Sequence, residues 1–579
     1  MLETDVLIVG SGPAGSSTGL MLSSYGVRNI IITKYRWLAD TPRAHYVAQR
    51  TMEIMTDLGI DHEVKAKAAP KEVLGNVVFC TAIAGEELGR IPYGGNSPER
   101  ANDYLKASPC EQSDLPQNLF EPILLSNAAT RGSHVRFDTE YLSHTQDEDG
   151  VIVTVLDRPR NEHYQIRCKY LIGADGATSK VVKDLQLPMA GEMGKSGSIS
   201  IIFKADLTRY MAHRPGYLWW VLQPGAEIGG LGLGLVRMVR PWNEWQIVWG
   251  YDISKEPPQL TREQAVDICR QLIGDAELDI EITSTSLWTV NEMYATEYSR
   301  GRVFCMGDAV HRHPPTNGLG SNTSIQDAYN IAWKLAMVIK GQAGQALLDT
   351  YSQERAPVGK RIVTRANKSV QDFAAIFQAL GLSEGHSVED MRQGIASLRL
   401  PTAEGRAVRQ KFQQALDNKV YEFAALGVEL NVHYSSDAII GAPSSTVTYD
   451  KDEDLFYQPS CAPGNRLPHA WLNYKGTQVS TLSLVGKGQF TLLCAIDSSA
   501  WQQAAEIART ELRIPLSHVS IGPGCDAQDL YGAWTKLWNA ADTACLLIRP
   551  DGYVAWASDD DKVANTRLLT VMRSLLCQA

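Results

Sequence analysis

The tightest constraint stands at the start of the chain. Asp5 to Val9 (DVLIV) is a continuous apolar run of strand length, the kind a parallel sheet covers on both faces. Gly10-Ser11-Gly12-Pro13-Ala14-Gly15 follows at once, then a helical stretch from Ser16 to Tyr25, a stop at Gly26 and a second strand from Asn29 to Thr33. Strand, G-x-G-x-x-G, helix and strand in that order form a dinucleotide-binding βαβ unit. Gly10 allows the tight turn, Gly12 lets a pyrophosphate approach the backbone, and Gly15 lets helix and strand pack closely, with Pro13 and Ala14 completing the loop. One element departs from the pattern. The second strand ends Thr33-Lys34, where an acidic residue usually grips the ribose. Either these two residues substitute through other hydrogen bonds, or the ribose is held from elsewhere and they are ordinary strand-end residues.

The same grammar recurs twice. Tyr170-Leu171-Ile172-Gly173-Ala174-Asp175-Gly176-Ala177-Thr178-Ser179 reads as apolar strand, Asp-Gly turn and helix start. Arg302 to Met306 is a short strand ending in Gly307-Asp308, followed by Pro314-Pro315, the loop Asn317-Gly318-Leu319-Gly320 and a helical pattern from about Ser321. Asp308 can accept hydrogen bonds from ribose-like hydroxyls, and a bare helix N-terminus offers N–H donors and positive potential. Thr41-Pro42-Arg43-Ala44-His45 leads into a helix expected over 48–58, and Arg43 beside a cofactor loop is suited to a pyrophosphate. Gln117 stands near the start of another helix, in Leu115 to Glu121.

At 579 residues the chain has room for two or three domains of ~150 residues each. A net charge of −10, thinly spread, argues against nucleic acid as partner. Met1 to Asp5 lacks the basic start of a signal peptide, and no apolar stretch reaches the ~18 residues of a membrane span, so a cytoplasmic protein is expected. The ten cysteines show no CxxC or Cys/His ligand spacing and read as reduced thiols, with no metal site.

The expected fold mixes α/β and α+β. A Rossmann-like dinucleotide domain covers 1–186, interrupted at about 75–115 by a piece of a substrate domain. An antiparallel sheet fills 187–283, the dinucleotide domain resumes with helices over 284–440, and 441–579 holds a linker and a small α/β unit. The antiparallel runs SISIIFKADL, YLWWVLQPG, GLGLGLVRMVR and EWQIVWGYD are rich in rings, among them Tyr217, Trp219, Trp220 and Trp245. Such a sheet suits an aromatic ligand, or else its rings are simply core.

Three ligand-type junctions in this order resemble the single-component (class A) flavoprotein aromatic hydroxylases. GSGPAG matches their first glycine motif, GADGATS their DG motif and GDAVHRHPPTNGLGSN their GD motif. Gln117 to Glu121 matches their Q-x-x-x-E, and the resemblance continues through Leu348 to Arg355. It covers most of the chain and leans towards the phenol hydroxylase branch. The terminal unit resembles the thioredoxin-like domain of those enzymes, without the CxxC that redox activity needs.

The resemblance implies a substrate domain of the p-hydroxybenzoate hydroxylase (PHBH-like) type. It implies non-covalent FAD, with NADPH, or NADH in its place, binding transiently in a groove because no second G-x-G-x-x-G exists. Gly10, Gly12 and Gly15 take the pyrophosphate; Arg43 and Gln117 flank the ribityl chain and diphosphate. Asp308, after Gly307, meets the ribityl hydroxyls; the Gly318-Leu319-Gly320-Ser321-Asn322 backbone faces the flavin pyrimidine edge; Asp175-Gly176 couples FAD and NADPH binding. The implied partners are a phenolic substrate and O₂, with a homodimer as the family habit, and the implied reaction is ring hydroxylation ortho or para to the phenol OH through a flavin C4a-hydroperoxide. Pro314 and Pro315 would wall the reacting face against water.

A base near the phenol would accelerate the reaction, and His45 is the nominee, with Tyr217 and Arg237 next in line to bind the phenol oxygen. His45 falls where phenol hydroxylases carry an Asp, and a loop-capping histidine is the competing reading. Of His311 and His313, at least one is expected to be structural. Epoxidation, Baeyer–Villiger oxidation or oxidative decarboxylation of a related aromatic or quinone is the alternative chemistry. Trp242-Asn243-Glu244-Trp245 departs from the WxWxIP of flavin halogenases. A flavin-bearing scaffold protein is the reading from another class.

Overall fold

A computed structural model of the chain describes residues 1–223, 233–382, 387–441 and 448–578. The expected runs through Gln223-Pro224-Gly225 and Gly230 to Gly232, and the linker segment 442–447, fall partly outside these residues.

Leu2–Val9 is the centre of the first sheet, with Val6, Leu7 and Ile8 fully buried, as its unbroken apolar run requires. Asn29–Ile32 and then His134–Arg136 lie on one side of it, Glu162–Gly173 and then Val303–Cys305 on the other, all parallel. The hairpin of Thr139–Gln146 and Val151–Asp157 adds antiparallel to the first half of Glu162–Gly173. Helix Pro13–Ser24 packs between helices Gln117–Thr130 and Leu319–Ile339. That last helix begins at Leu319, two residues before the sequence pattern suggested, because left-handed Gly318 (φ +63°) turns the chain directly into it.

The second sheet runs His311–Arg312, Glu281–Ala295, Met189–Lys204, Glu244–Tyr251, Leu233–Arg240, Leu218–Leu222, Asn76–Cys80, Glu87–Pro92. It is antiparallel except where Leu218–Leu222 meets Asn76–Cys80. Two strands thus come from before residue 100. Glu281–Ala295 runs unbroken through residue 283, so the sheet continues past the change of texture in the sequence and returns at His311–Arg312. Trp219 and Trp245 are fully buried and meet edge to face at 5.9 Å. Their rings are core, whereas Tyr217 reaches a polar cluster described below.

In the terminal unit Phe490–Cys494 and Leu516–Ser520 are parallel, joined by helix Ser499–Leu512; Cys545–Ile548 and Val554–Ser558 complete the sheet as an antiparallel hairpin under helix Ala564–Leu575. This is a thioredoxin-like arrangement. The short helix expected from Leu530 starts instead at Ala533, where the Asp529 carboxylate accepts from the amides of Ala533 (3.1 Å) and Thr535 (2.8 Å). Among the described residues no helix is long and apolar enough to cross a membrane.

Candidate functional site

The three ligand-type junctions converge. Val9 is in register with Gly173, and Gly173 with Cys305, so the three strands end side by side. The Ala174 amide donates to Val9 O (2.8 Å) and the Met306 amide to Gly173 O (3.0 Å). Gly10 has φ +112°, and a Cβ there would lie 2.1 Å from Ala174 O; one at Gly15 would lie 1.9 Å from Gly10 O. Only glycine lets these turns touch. A Cβ at Gly307 would press on Ala14 and Ser324, which brings the GD turn against helix Pro13–Ser24. The crevice therefore opens at the carboxyl ends of parallel strands, the usual ligand position of such sheets.

Several features suit this crevice to a long dinucleotide. Gly12 and Gly318 precede helices whose first turns hold no acid and no side-chain cap, so their free N–H groups and dipoles stay available to an anion. Among the described residues, a Cβ at Gly12 would meet nothing closer than Glu121 Oε1 at 3.8 Å, and one at Gly176 would meet nothing within 4 Å. Gln117 Nε2 donates to Glu121 Oε1 (2.5 Å), and the Ala39 amide donates to Oε2 (2.8 Å). Burial raises the Glu121 carboxyl, with exposed Arg43 pulling the other way, so Gly12, Gln117, Glu121 and Arg43 form one neighbourhood. Asp308 is exposed, and among the described residues its carboxylate makes no hydrogen bond. These residues fit FAD.

The remaining nominees are placed differently. The Asp175 carboxylate accepts from Ser179 Oγ (2.6 Å) and from the amides of Lys180 (2.7 Å) and Val181 (3.2 Å), capping helix Lys180–Leu185. Thr33 is buried in its turn, and Lys34 is exposed beside Tyr35. Pro314 is buried and Pro315 exposed, so Pro315 is the one placed to bound an open face. His311 Nε2 pairs with Asp327 Oδ2 at 2.8 Å, and His313 Nδ1 lies 2.7 Å from Pro314 O.

Asn322 is saturated. Its Oδ1 accepts from the Ala48 amide (2.9 Å) and Thr51 Oγ1 (2.7 Å); its Nδ2 donates to Tyr46 O (2.9 Å) and Gly318 O (2.7 Å). One side chain thereby ties the cofactor loop to the strand that follows His45. Asn322→Leu is expected to lower stability by about 2–3 kcal/mol, since one buried and two partly buried backbone groups lose their partner, and to lower FAD occupancy with it. Denaturant unfolding and flavin absorbance check this; unchanged occupancy would show that the tie is dispensable.

The second cluster joins the two sheets. Tyr46–Val47 pairs with Ser113–Asp114, which sets Asp114 beside His45 with Nδ1 to Oδ1 at 3.5 Å. Arg237 Nη2 donates to Asp114 Oδ2 (2.5 Å), and its guanidinium lies 5.1 Å from the centre of the Tyr217 ring. Tyr93 packs on Tyr217 at 4.4 Å, and Tyr46 on Tyr93 at 5.6 Å. Tyr46 OH donates to Glu429 Oε1 (2.7 Å), and burial pushes the Glu429 carboxyl up to about 7. His45 is 4% exposed, and among the described residues neither ring nitrogen has a hydrogen-bond partner, Asp114 Oδ1 standing just out of hydrogen-bond geometry. Burial, then Arg237, pulls its pKa down to about 4, leaving a neutral imidazole. Burial alone would raise the Asp114 carboxyl, but Arg237 and then His45 outweigh it and hold it below the usual range. An orphaned neutral imidazole beside an arginine–carboxylate pair and two tyrosines is suited to hydrogen-bond a hydroxyl-bearing ligand.

Comparison with known proteins agrees with this geometry. Residues 3–366 match the family model of the FAD binding domain, and residues 460–579 that of the aromatic-ring hydroxylase C-terminal domain. The chain belongs to the FAD-binding aromatic-ring hydroxylases. It is 50% identical to a 2,4-dichlorophenol 6-monooxygenase of Cupriavidus pinatubonensis (strain JMP 134 / LMG 1197), over 99% of this chain and 96% of the relative. It is 48% identical to a phenol 2-monooxygenase of Pseudomonas sp. (strain EST1001), over 96% and 90%. The crystal structure of the flavin-dependent monooxygenase PieE in complex with FAD and substrate superposes with a TM-score of 0.95 at 39% identity, covering 100% of both chains.

In this hydroxylase the GD turn is braced from behind. Asp327 accepts from the Gly307 amide (3.1 Å) through Oδ2, and Arg355 Nε donates to its Oδ1 (2.7 Å). Arg355 Nη1 also donates to Tyr434 OH (3.0 Å). Asp114, Asp327, Tyr93 and Glu429 escaped the sequence reading. Asp327 alone carried a signal, being an acid buried on the apolar stretch of a helix that starts at a glycine loop.

Proposed function

We propose that this hydroxylase binds FAD in the crevice, takes reducing equivalents from NADPH, or NADH in its place, and uses O₂ to hydroxylate a phenol ortho or para to its OH. The supporting observation is the orphaned imidazole of His45 next to the Arg237–Asp114 pair, at the end of a strand that Asn322 ties to the cofactor loop. When bound, FAD supplies the electron transfer and oxygen activation.

The protein's part is position, charge and dryness. Gly10, Gly12, Pro13, Ala14 and Gly15 cradle the diphosphate with Arg43 and Gln117 beside it, and Asp308 takes the ribityl hydroxyls. The amides of Leu319, Gly320 and Ser321, at the positive end of helix Leu319–Ile339, face developing negative charge. A phenol ring enters beside Tyr217 and Tyr93, its oxygen towards His45 and Arg237. Neutral His45 accepts the phenol proton, and Arg237 stabilises the phenolate, whose ring is then electron-rich at the ortho and para carbons. Asp114 holds Arg237 in place and, 3.5 Å from His45 Nδ1, offsets the imidazolium charge that forms. Relatives named for phenol and for dichlorophenol support a phenolic substrate.

A panel of phenols incubated with NADPH and ¹⁸O₂ tests this reading. One labelled oxygen on the ring of the product, with NADPH oxidation stimulated by the phenol, is expected. An unlabelled ring, or lactone or epoxide products, would replace hydroxylation with another oxygenation.

A further inference from the structure

Arg312 follows the GD turn, on strand His311–Arg312. Its Nε donates to Asp308 O (3.0 Å) and its Nη2 to Ala309 O (3.0 Å), so the turn itself holds the guanidinium in one orientation. Its Nη1 meets two thioethers, Met293 Sδ at 3.6 Å and Met193 Sδ at 3.8 Å, which are weak acceptors. The side chain is half-buried and, among the described residues, forms no ion pair. Its charged neighbours are Asp308 and Asp175, acting through space from the GD and DG turns. Buried arginines elsewhere in the chain are satisfied differently: Arg355, Arg466 and Arg549 each meet a carboxylate directly.

The crevice therefore has two cationic poles. Arg43 acts on Glu121 beside Gly12, at the end suited to the FAD diphosphate. Arg312 stands at the other end, where Asp308 and Asp175 of the GD and DG turns act on its guanidinium through space. A nicotinamide dinucleotide carries several negative charges, and only one G-x-G-x-x-G strand–turn–helix exists in the sequence to receive a dinucleotide. A chain of net charge −10 that also places Asp175 and Asp308 at this opening needs a local cation to admit such a molecule.

We propose that Arg312 binds a phosphate group of the nicotinamide dinucleotide at the opening between the Asp175-Gly176 turn and Asp308. Its clamped guanidinium presents the remaining N–H groups to the phosphate oxygens, replacing sulfur contacts with charge-assisted hydrogen bonds. The inference rests on the reading that NADPH or NADH is the electron donor.

The test uses the full-length, FAD-loaded protein, with Arg312→Gln, which keeps a donor for the turn carbonyls but no charge, and Arg312→Lys, which keeps the charge but loses the fork. NADP⁺ and NAD⁺ affinities come from calorimetry, FAD content from absorbance, and phenol binding from perturbation of the flavin spectrum. Arg312→Gln is expected to weaken dinucleotide binding by roughly 10–100-fold, with FAD content and phenol binding unchanged, and Arg312→Lys to fall between. Equal loss for NADP⁺ and NAD⁺ would place the contact on the diphosphate; loss confined to NADP⁺ would place it on the 2′-phosphate. Unchanged dinucleotide affinity in both variants overturns the proposal, as does loss of FAD content in both, which would make Arg312 a clamp of the cofactor's own turn. A wild-type protein that neither binds nor oxidises either dinucleotide would instead overturn the electron-donor reading itself.

Discussion

Glu354→Ala is expected to destabilise the protein by about 3–5 kcal/mol and to loosen the terminal unit from the rest of the molecule. The Glu354 carboxylate is fully buried and accepts five hydrogen bonds, from Arg549 Nη1 (2.6 Å) and Nη2 (2.9 Å), Lys334 Nζ (2.8 Å), Asn330 Nδ2 (2.6 Å) and Ser436 Oγ (2.6 Å). Lys334 belongs to the long helix that begins at the cofactor loop, and Arg549 to the turn between the last two strands of the terminal sheet. Burial alone would raise the Glu354 carboxyl, but Arg549 and then Lys334 hold it well below the usual range. Burial lowers the Lys334 amine to about 8 even with Glu354 present. Removing the carboxylate leaves two cations in the interior, with Asp551 bonded to Arg549 and no other acid bonded to either cation among the described residues. Lys334 would then lose its proton, and the interface would open. Limited proteolysis of the 448–468 segment and equilibrium unfolding measure the effect. A variant as protease-resistant and as stable as the wild type would show that the second joint, Glu53 with Arg50 and Arg466, suffices alone.

His45→Ala is expected to slow phenol hydroxylation by roughly 10²–10⁴-fold while FAD remains bound, because proton transfer from the phenol then falls to water in a site that excludes it. The pH dependence separates this from a packing effect. With an imidazole pKa near 4, the free enzyme holds His45 neutral throughout the physiological range. The acid limb of kcat/KM is therefore expected well below pH 6.5, and its shape should change in the variant. A limb that stays unchanged in His45→Ala would remove His45 from the base role and turn attention to Asp114. The same depressed pKa makes folding acid-sensitive. The unfolded chain, with an imidazole near ~6.5, binds a proton that the folded state refuses until about pH 4. Stability from this group is thus complete above pH ~6.5 and declines towards pH 4, at up to about 1.4 kcal/mol per pH unit.

Much of the cofactor crevice was legible without coordinates, because its rules are local. A strand buried on both faces reads as an unbroken apolar run, and turns that must touch backbone to backbone read as glycine, as at Gly10 and Gly15. His45, Tyr217 and Arg237 were also picked out, the first from its place after Arg43 and the others from an aromatic sheet, although nothing in the sequence put them together. Asp114 sits in the unremarkable run Ser113-Asp114-Leu115-Pro116, which carries no local signal. It matters only through a two-residue ladder with Tyr46–Val47 and through Arg237, more than a hundred residues away. Asn322 and Asp175 illustrate the reverse. Both lie inside ligand-type motifs, yet their side chains are spent on Tyr46, Gly318 and the amides of helix Lys180–Leu185, so any ligand there meets backbone.

From its residues alone the chain was committed to a dinucleotide crevice of glycine turns at strand ends, to an antiparallel sheet rich in rings and to a small terminal α/β unit, since steric freedom and hydrophobic period act between near neighbours. Folding in three dimensions settled which polar groups lose water together. That choice made His45 neutral, paired Arg237 with Asp114 and sealed Glu354 between two cations, because desolvation and Coulomb attraction depend on distances through space that no spacing along the chain encodes.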